Sequence, residues 1–265
     1  MGTFPAAGSA DDWPQWLGPT GDSVWHEGGV LETFPEDGLK TSWRAPVGLG
    51  YSGPAVASGK VYVTDYLKKS GEIKNVPSSR EQLEGSERVL CFEAATGRRL
   101  WEHVYPRSYH FSYPGGPRAT PAVGRGKVFT LGAEGDLLCL DAHSGKKIWS
   151  KAFTSEYGVE TPFWGFSAHP LLVEDTLYCV VGGEGSVAVA FDADTGKERW
   201  RALSAPEPGY CPPVMIEHAG QKQLLIWHPK ALHGLDPATG KIRWQVPLQP
   251  NYSMSVTAPR YRDGL

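Results

Sequence analysis

Aromatic, His and Arg side chains gather in the segments that connect the repeated units of this chain. Turn residues alone would be sufficient at these positions. Stacking rings and charged donors can bind a flat or anionic small molecule. The same rings could instead pad the connecting loops against each other. The candidate ligand-binding residues are Tyr51, Tyr109, His110, Arg118, Trp164, His169 and Tyr210.

The sequence patterns of hydrolases and metalloenzymes are missing. G-x-S-x-G, H-E-x-x-H and paired-His motifs do not occur. The four cysteines include no C-x-x-C, and Cys91 and Cys139 each lie six residues before a repeated Gly, where a small buried thiol is expected. We therefore predict no catalytic group and no metal site.

The elements that must position these loops are marked by a ten-residue phrase that occurs four times. The copies lie at residues 92–101, 140–149, 191–200 and 235–244. In each copy an apolar strand runs into Asp or Glu, then Thr or Ser, Gly and a basic residue, and a Trp follows four places after the Gly. Such a Gly can adopt the positive φ of a tight turn, while the acid and the hydroxyl cap its backbone N–H groups. The phrase predicts a β-hairpin with a Trp anchor.

A further strand, at residues 41–47, matches the Trp-containing strands but has no hairpin of its own. We expect it to complete the last blade as an outer strand. Together the expected structural anchors of the repeats are Trp43, Gly97, Trp101, Gly145, Trp149, Gly196, Trp200, Gly240 and Trp244.

The spacing of the repeated glycines indicates the fold class. They are 48, 51 and 44 residues apart, a period in the range of propeller blades. The 32 Gly and 22 Pro suit short strands that alternate with turns. We predict an all-β protein, a β-propeller of four-stranded antiparallel blades with about four blades present.

Two regions are expected along the chain. Residues 1–40 form a leader, disordered up to about residue 12, and a Trp-rich loop laid across the outside of a sheet, whereas residues 41–265 form a partial propeller. Residues 67–88 are extra in the first blade and are expected to form a solvated hairpin extension. Residues 257–265 parallel residues 52–60, so we expect a fragment of a longer protein or an open arc of four blades.

Charge and hydropathy exclude other classes of function. The formal net charge is −3 without a basic block, which does not fit a nucleic-acid-binding protein. No apolar run approaches the length of a transmembrane helix, and this sequence shows no signal-peptide pattern.

The phrase Leu-Asp-Ala-x-(Thr/Ser)-Gly-Lys-x-x-Trp, clearest at residues 140–149, resembles the tryptophan-docking repeat of the pyrroloquinoline-quinone (PQQ)-type β-propellers. The resemblance extends over residues 12–265 and includes Asp-Trp-Pro-Gln-Trp-x-Gly-Pro at 12–19 and Trp-Gly-Phe at 164–166. The chain resembles PQQ-like repeat proteins most closely and the outer-membrane assembly lipoprotein more distantly. The resemblance implies about eight blades in the whole propeller and a periplasmic or cell-envelope location.

Two functions follow as expectations. The first is a binding or scaffold module that presents its loops to a protein, a peptide or a small ligand, without a cofactor. The alternative is part of a PQQ-dependent alcohol or sugar dehydrogenase with PQQ and Ca²⁺, which the resemblance alone implies. Such dehydrogenases have an adjacent cysteine pair, and here the closest cysteines, Cys179 and Cys211, are 32 residues apart. The binding module is therefore the function we expect.

Overall fold

The computed structural model describes residues 11–28 and 31–262, and these form four antiparallel sheets with almost no helix. The expected disordered leader lies, up to residue 10, outside the described residues, as do positions 263–265 of the parallel with residues 52–60. Each sheet follows chain order from its innermost to its outermost strand. This is the architecture of propeller blades, and the predicted fold class is confirmed.

The strands have the following bounds. Blade 1 holds β1 (Ala55–Ala57), β2 (Lys60–Ser70), β3 (Glu81–Glu93) and β4 (Arg99–Pro106), and β5 (Tyr109–Phe111) also pairs with β3. Blade 2 holds β6 (Ala122–Gly124), β7 (Lys127–Leu131), β8 (Asp136–Asp141) and β9 (Lys147–Ala152), followed by helix α1 (Phe153–Tyr157). Blade 3 holds β10 (Leu171–Val173), β11 (Thr176–Val180), β12 (Ala188–Asp192) and β13 (Glu198–Ala202). Blade 4 holds β14 (Val214–His218), β15 (Gln221–His228), β16 (Ala231–Leu235) and β17 (Ile242–Pro247), followed by a 3₁₀ turn (Asn251–Ser253).

The repeated phrase forms the hairpin between the third and fourth strand of each blade. In blade 2 the Asp141 carboxylate accepts hydrogen bonds from the backbone N–H (2.7 Å) and the hydroxyl (2.6 Å) of Ser144. These bonds hold the pKa of Asp141 below its ordinary value. Gly145 closes the turn with φ +70°, a conformation that residues with a Cβ rarely adopt.

Each blade is joined to the next by a Trp that lies on the neighbouring hairpin. The Trp149 ring covers Gly196, where an added Cβ would lie 2.6 Å from the indole. Its Nε1–H donates to the Ala193 carbonyl at 3.1 Å. The same arrangement joins Trp43 to Gly97, Trp101 to Gly145, and Trp200 to Gly240. Trp244 instead lies over Gly234 of its own blade and donates to Gln223 Oε1 at 2.6 Å.

Small residues lie opposite each Trp on the third strand, because the indole covers that position. The paired residues are Cys91, Cys139, Ala190 and Gly234. Cys91 and Cys139 are buried, as predicted, and burial raises the pKa of the Cys139 thiol to about 12. These thiols therefore have a packing role.

The N-terminal segment 11–22, here called the strap, crosses the inner edges of the blades. Trp13 exchanges two backbone hydrogen bonds with Val56 of β1 (2.8 and 2.9 Å), and the Pro14 carbonyl accepts one from Val123 of β6 (2.8 Å). The prediction that this loop lies across the outside of a sheet was wrong. Innermost strands have an edge without a neighbouring strand, and the strap satisfies backbone groups there.

Two other local predictions also fail. Residues 41–47 form no strand, because the described chain offers no partner strand beside them, although Trp43 still packs on Gly97. The extension at 67–88 is not simply solvated, since β5 adds to it and a buried cluster forms beneath it. This cluster contains Tyr66, Leu83, Tyr109, Phe111 and Ala133.

Candidate functional site

The segments that lead into the inner strands of blades 1, 2 and 3, and the segment that follows β17, meet at the end of the blades opposite the hairpins. They enclose a groove of about 290 Å³, here called the mouth groove, lined by Tyr51, Tyr113, Arg118, Trp164 and Met254. Tyr51, Arg118 and Trp164 belong to the candidate residues that the sequence predicts. The structure brings these three together from loops of three different blades.

Arg118 is the charged centre of the mouth groove. Its guanidinium lies between the rings of Tyr51 and Phe111, 5.1 and 4.8 Å from their centroids. Its Nη atoms donate to the backbone carbonyls of Gly116 (2.7 Å), Ser112 (3.3 Å) and Tyr113 (2.5 Å). Burial lowers the pKa of Arg118, yet a guanidinium stays protonated. The groove therefore has a positive charge that is hydrogen-bonded to carbonyl groups and lies between ring faces.

A second arginine continues this surface along the rings. Arg80 lies 5.3 Å from the Phe163 centroid and donates to the His110 and Thr161 carbonyls, each at 3.1 Å. Phe163 contacts Trp164 edge-on at 5.1 Å. Sequence reasoning missed Arg80, because its place in the extension does not reveal that the extension folds back to the mouth.

Tyr210 lies behind the groove. Its ring contacts Trp164 edge-on at 5.7 Å, and burial raises its pKa to about 12. Its hydroxyl is buried and has no hydrogen-bond partner among the residues that the structure describes. A buried polar atom without a partner is uncommon.

The other three candidate residues do not line the mouth groove. Tyr109 is buried, stacked on Tyr66 at 4.0 Å, and donates its hydroxyl to Glu87 at 2.6 Å. His110 points to the other side of β5, because successive side chains of a strand alternate. His169 stacks on Trp16 of the strap at 4.2 Å.

Glu87 is a buried carboxyl beneath the mouth and is only 2% exposed. It accepts hydrogen bonds from Tyr109, from Tyr105 and from the backbone N–H of Ala133 (2.9 Å). Burial raises the pKa of Glu87. The hydrogen bonds of this carboxyl therefore connect β3 of blade 1 to the turn between β7 and β8 of blade 2.

His169 makes the fold sensitive to acid. Its Nδ1 accepts a hydrogen bond from the Thr120 backbone N–H at 2.7 Å, and burial lowers its pKa from 6.5 to about 3. The stability that neutral His169 contributes is therefore present above about pH 6.5 and is lost as the pH falls. Between pH 7 and pH 5 we expect this histidine to lower the free energy of unfolding by about 2 kcal/mol.

Urea unfolding at several pH values measures this effect. His169→Gln is the matched variant, because its side-chain oxygen can accept the Thr120 bond and does not titrate. The free energy of unfolding of the wild type, relative to that of His169→Gln, should decrease from pH 7 to pH 5. Parallel pH profiles would contradict the expected role of His169.

The donor set of the mouth does not fit a metal-dependent quinone site. In residues 11–28 and 31–262, no group of three or more His, Cys, Asp or Glu side chains is arranged to hold a metal ion. Ca²⁺ requires several oxygen ligands, whereas the mouth groove is lined by rings, a thioether and an arginine already bonded to carbonyls.

In the same described ranges, no helix is both long and apolar enough to cross a bilayer.

Comparison of structures shows the fold class of the chain. Quinohemoprotein alcohol dehydrogenase from Comamonas testosteroni is similar with a TM-score of 0.59 at 17% identity, over 90% of this chain and 41% of that one. A europium-containing methanol dehydrogenase is similar with a TM-score of 0.50 at 16% identity, over 76% of this chain and 42% of that one. The chain thus spans about two fifths of the length of these dehydrogenases, and at such identities the likeness shows the fold alone.

Comparison of sequences shows the family. No curated protein sequence matches the chain significantly. The family described as outer membrane protein assembly factor BamB matches residues 85–263, which is more than half of the chain. The chain therefore belongs to this family of PQQ-like β-propeller proteins.

Proposed function

We propose that this chain is a binding or scaffold module of the cell envelope and that its mouth groove binds a protein partner. The observation that carries the proposal is the grouping of Tyr51, Tyr113, Arg118, Trp164 and Met254 around one groove. Trp, Tyr and Arg dominate the binding energy of protein interfaces. Met adapts its shape to different partners.

The exposure of the groove favours a protein or peptide over a small ligand. The Tyr51 and Met254 side chains are 54% and 41% exposed. Pockets for small molecules typically bury about 70–90% of the ligand surface, which a groove as open as this one cannot provide. A flat or anionic small ligand at Tyr51, Arg118 and Trp164 is the narrower alternative.

The proposed location is the periplasm or the cell envelope. The family description names outer-membrane assembly, which supports this location. We also propose the division into a leader with a Trp-rich loop at residues 1–40 and a propeller region at residues 41–265. The strap at 11–22 would then hold the inner strands together.

The second candidate function is part of a PQQ-dependent alcohol or sugar dehydrogenase. The similarity in fold to two dehydrogenases supports it. The side chains at the mouth do not fit Ca²⁺, as described above, so the binding module remains the proposal.

Site-specific crosslinking tests the proposed function. A photoreactive phenylalanine analogue replaces Tyr252, which lies two residues from Met254 and is 86% exposed, or Lys146, which lies in a hairpin at the opposite end of the blades. In an envelope extract we expect one discrete crosslinked protein from position 252 and none from position 146. Adding Trp164→Ser should abolish the crosslink.

The same protein separates the two candidate functions. Purified chain titrated with PQQ and CaCl₂ should show no bound chromophore after gel filtration. A stoichiometric chromophore together with equal crosslinking from positions 252 and 146 would reject the binding module in favour of the dehydrogenase.

A further inference from the structure

We infer that the mouth groove binds an extended partner segment in which acidic residues flank an aromatic residue. This inference rests on the proposed function, because it specifies the partner of the same groove. Three properties of the mouth carry it: two arginines that form no ion pair with an acidic residue in the described ranges, two tyrosines with positive φ, and the way in which the Arg118 donors are used.

The first property is charge. Arg80 and Arg118 each lie on aromatic rings and donate to backbone carbonyls, and within the described ranges neither forms an ion pair with Asp or Glu. By contrast, Arg88 pairs with Asp65 and Arg107 pairs with Asp136 close by. Charges removed from water are usually paired. Arg118 is such a charge, since burial lowers its pKa, whereas Arg80 is half-buried. Two such unpaired arginines beside one groove favour a negatively charged partner.

The second property is backbone strain at the rim. Tyr113 and Tyr252 both have φ +55°, a left-handed conformation that an aromatic residue adopts at a cost in free energy. Tyr113 lines the groove, and Tyr252 projects into solvent. Glycine would fit both positions without strain. Tyr113 is half-buried and Tyr252 is 86% exposed, so both rings can contact rings or prolines of a partner.

The third property favours an extended acidic segment over a compact anion as the partner. The Nη donors of Arg118 are bonded to the carbonyls of Ser112, Tyr113 and Gly116, so they are not free to form a bidentate pair with one carboxylate. Arg118 then attracts an anionic partner through its electric field, which extends across the Tyr51 ring. Several acidic residues spread along a chain profit from such a field, and their aromatic neighbour occupies the groove.

Selection from a displayed library of random twelve-residue peptides tests the inference on the intact chain. We expect the selected peptides to carry Trp, Tyr or Phe flanked by Asp or Glu. The best peptide, synthesised with a fluorophore, should bind less tightly as salt is raised. Arg80→Met and Arg118→Met should each weaken binding about tenfold. Arg125→Met is the matched control, because Arg125 pairs with Asp194 far from the mouth, and it should leave binding unchanged.

Arg118 also holds its loop through hydrogen bonds to backbone carbonyls, so Arg118→Met could unfold the chain. In that case Arg80→Met and Tyr113→Gly still test the inference. Tyr113→Gly should leave the Tm unchanged or raise it while it weakens peptide binding, whereas a merely structural tyrosine would lower the Tm.

Three results would overturn the inference: no enrichment of peptides, selected peptides without acidic residues, or binding insensitive to both Arg80→Met and Tyr113→Gly. Neutral peptides whose binding is lost in Trp164→Ser would reject the acidic segment and leave the proposed protein-binding groove in place.

Discussion

Replacing Trp149 by Ala is expected to lower the free energy of unfolding by about 3–5 kcal/mol. The indole contacts Phe129 (5.9 Å between centroids) and Phe191 (6.5 Å), covers Gly196, and donates to the Ala193 carbonyl. The variant leaves a cavity between blades 2 and 3 and removes a hydrogen bond. Urea unfolding followed by circular dichroism measures the loss.

Two substitutions in the preceding hairpin serve as comparisons. Gly145→Val should also destabilise, because φ is +70° there and a Cβ would lie 2.5 Å from the Trp101 ring. Lys146→Ala should be nearly silent, since that side chain is exposed. Equal and small effects of all three substitutions would show that the Trp and Gly contacts do not hold the blades together.

Glu87→Ala is the second substitution with a large expected effect, a loss of about 3 kcal/mol or more. It removes the acceptor of the Tyr105 hydroxyl, the Tyr109 hydroxyl and the Ala133 N–H at once. Each buried donor left without an acceptor costs about 1–3 kcal/mol. Thermal and urea unfolding of the variant measure the loss.

Glu87→Gln is the matched variant, since it keeps the shape and an acceptor oxygen but cannot ionise. Burial raises the pKa of Glu87 above its ordinary 4.5, so the folded protein holds this proton more tightly than the unfolded chain. Its contribution to stability is fully present below about pH 4.5 and is lost as the pH rises through the raised pKa. The stability of wild type relative to Glu87→Gln should therefore fall with rising pH. Equal losses in both variants without pH dependence would contradict this role.

Local chemistry made the blades predictable. A Gly that needs positive φ, an acid that caps the turn, and a Trp four residues later all act within ten residues, and their period reports the blade length. The burial of Cys91 and Cys139 followed from the same register. Each blade is a short-range unit, so the sequence alone determined the fold class.

The mouth could be predicted only in part. Tyr51, Arg118 and Trp164 meet because the segments that lead into the inner strands of successive blades lie at the same end. The positions of these residues in the loops could not show that strand β5 forms. Formation of β5 buries Tyr109 and turns His110 outward. The positions in the loops also could not show that Tyr113 and Met254 complete the groove.

Contacts distant in sequence decided the rest. Trp16 reaches His169 across 153 residues, and Arg80 reaches the Thr161 carbonyl across 81. Such contacts depend on where unpaired strand edges and buried carbonyl groups come to lie after the blades have packed, and no local pattern encodes these positions. The sequence by itself determined the repeating hairpins and the loops that bear function. Only the tertiary structure decided which side chains of those loops face one groove. When one side of a loop is buried against the blades, the residues on its opposite side are the ones that face the groove.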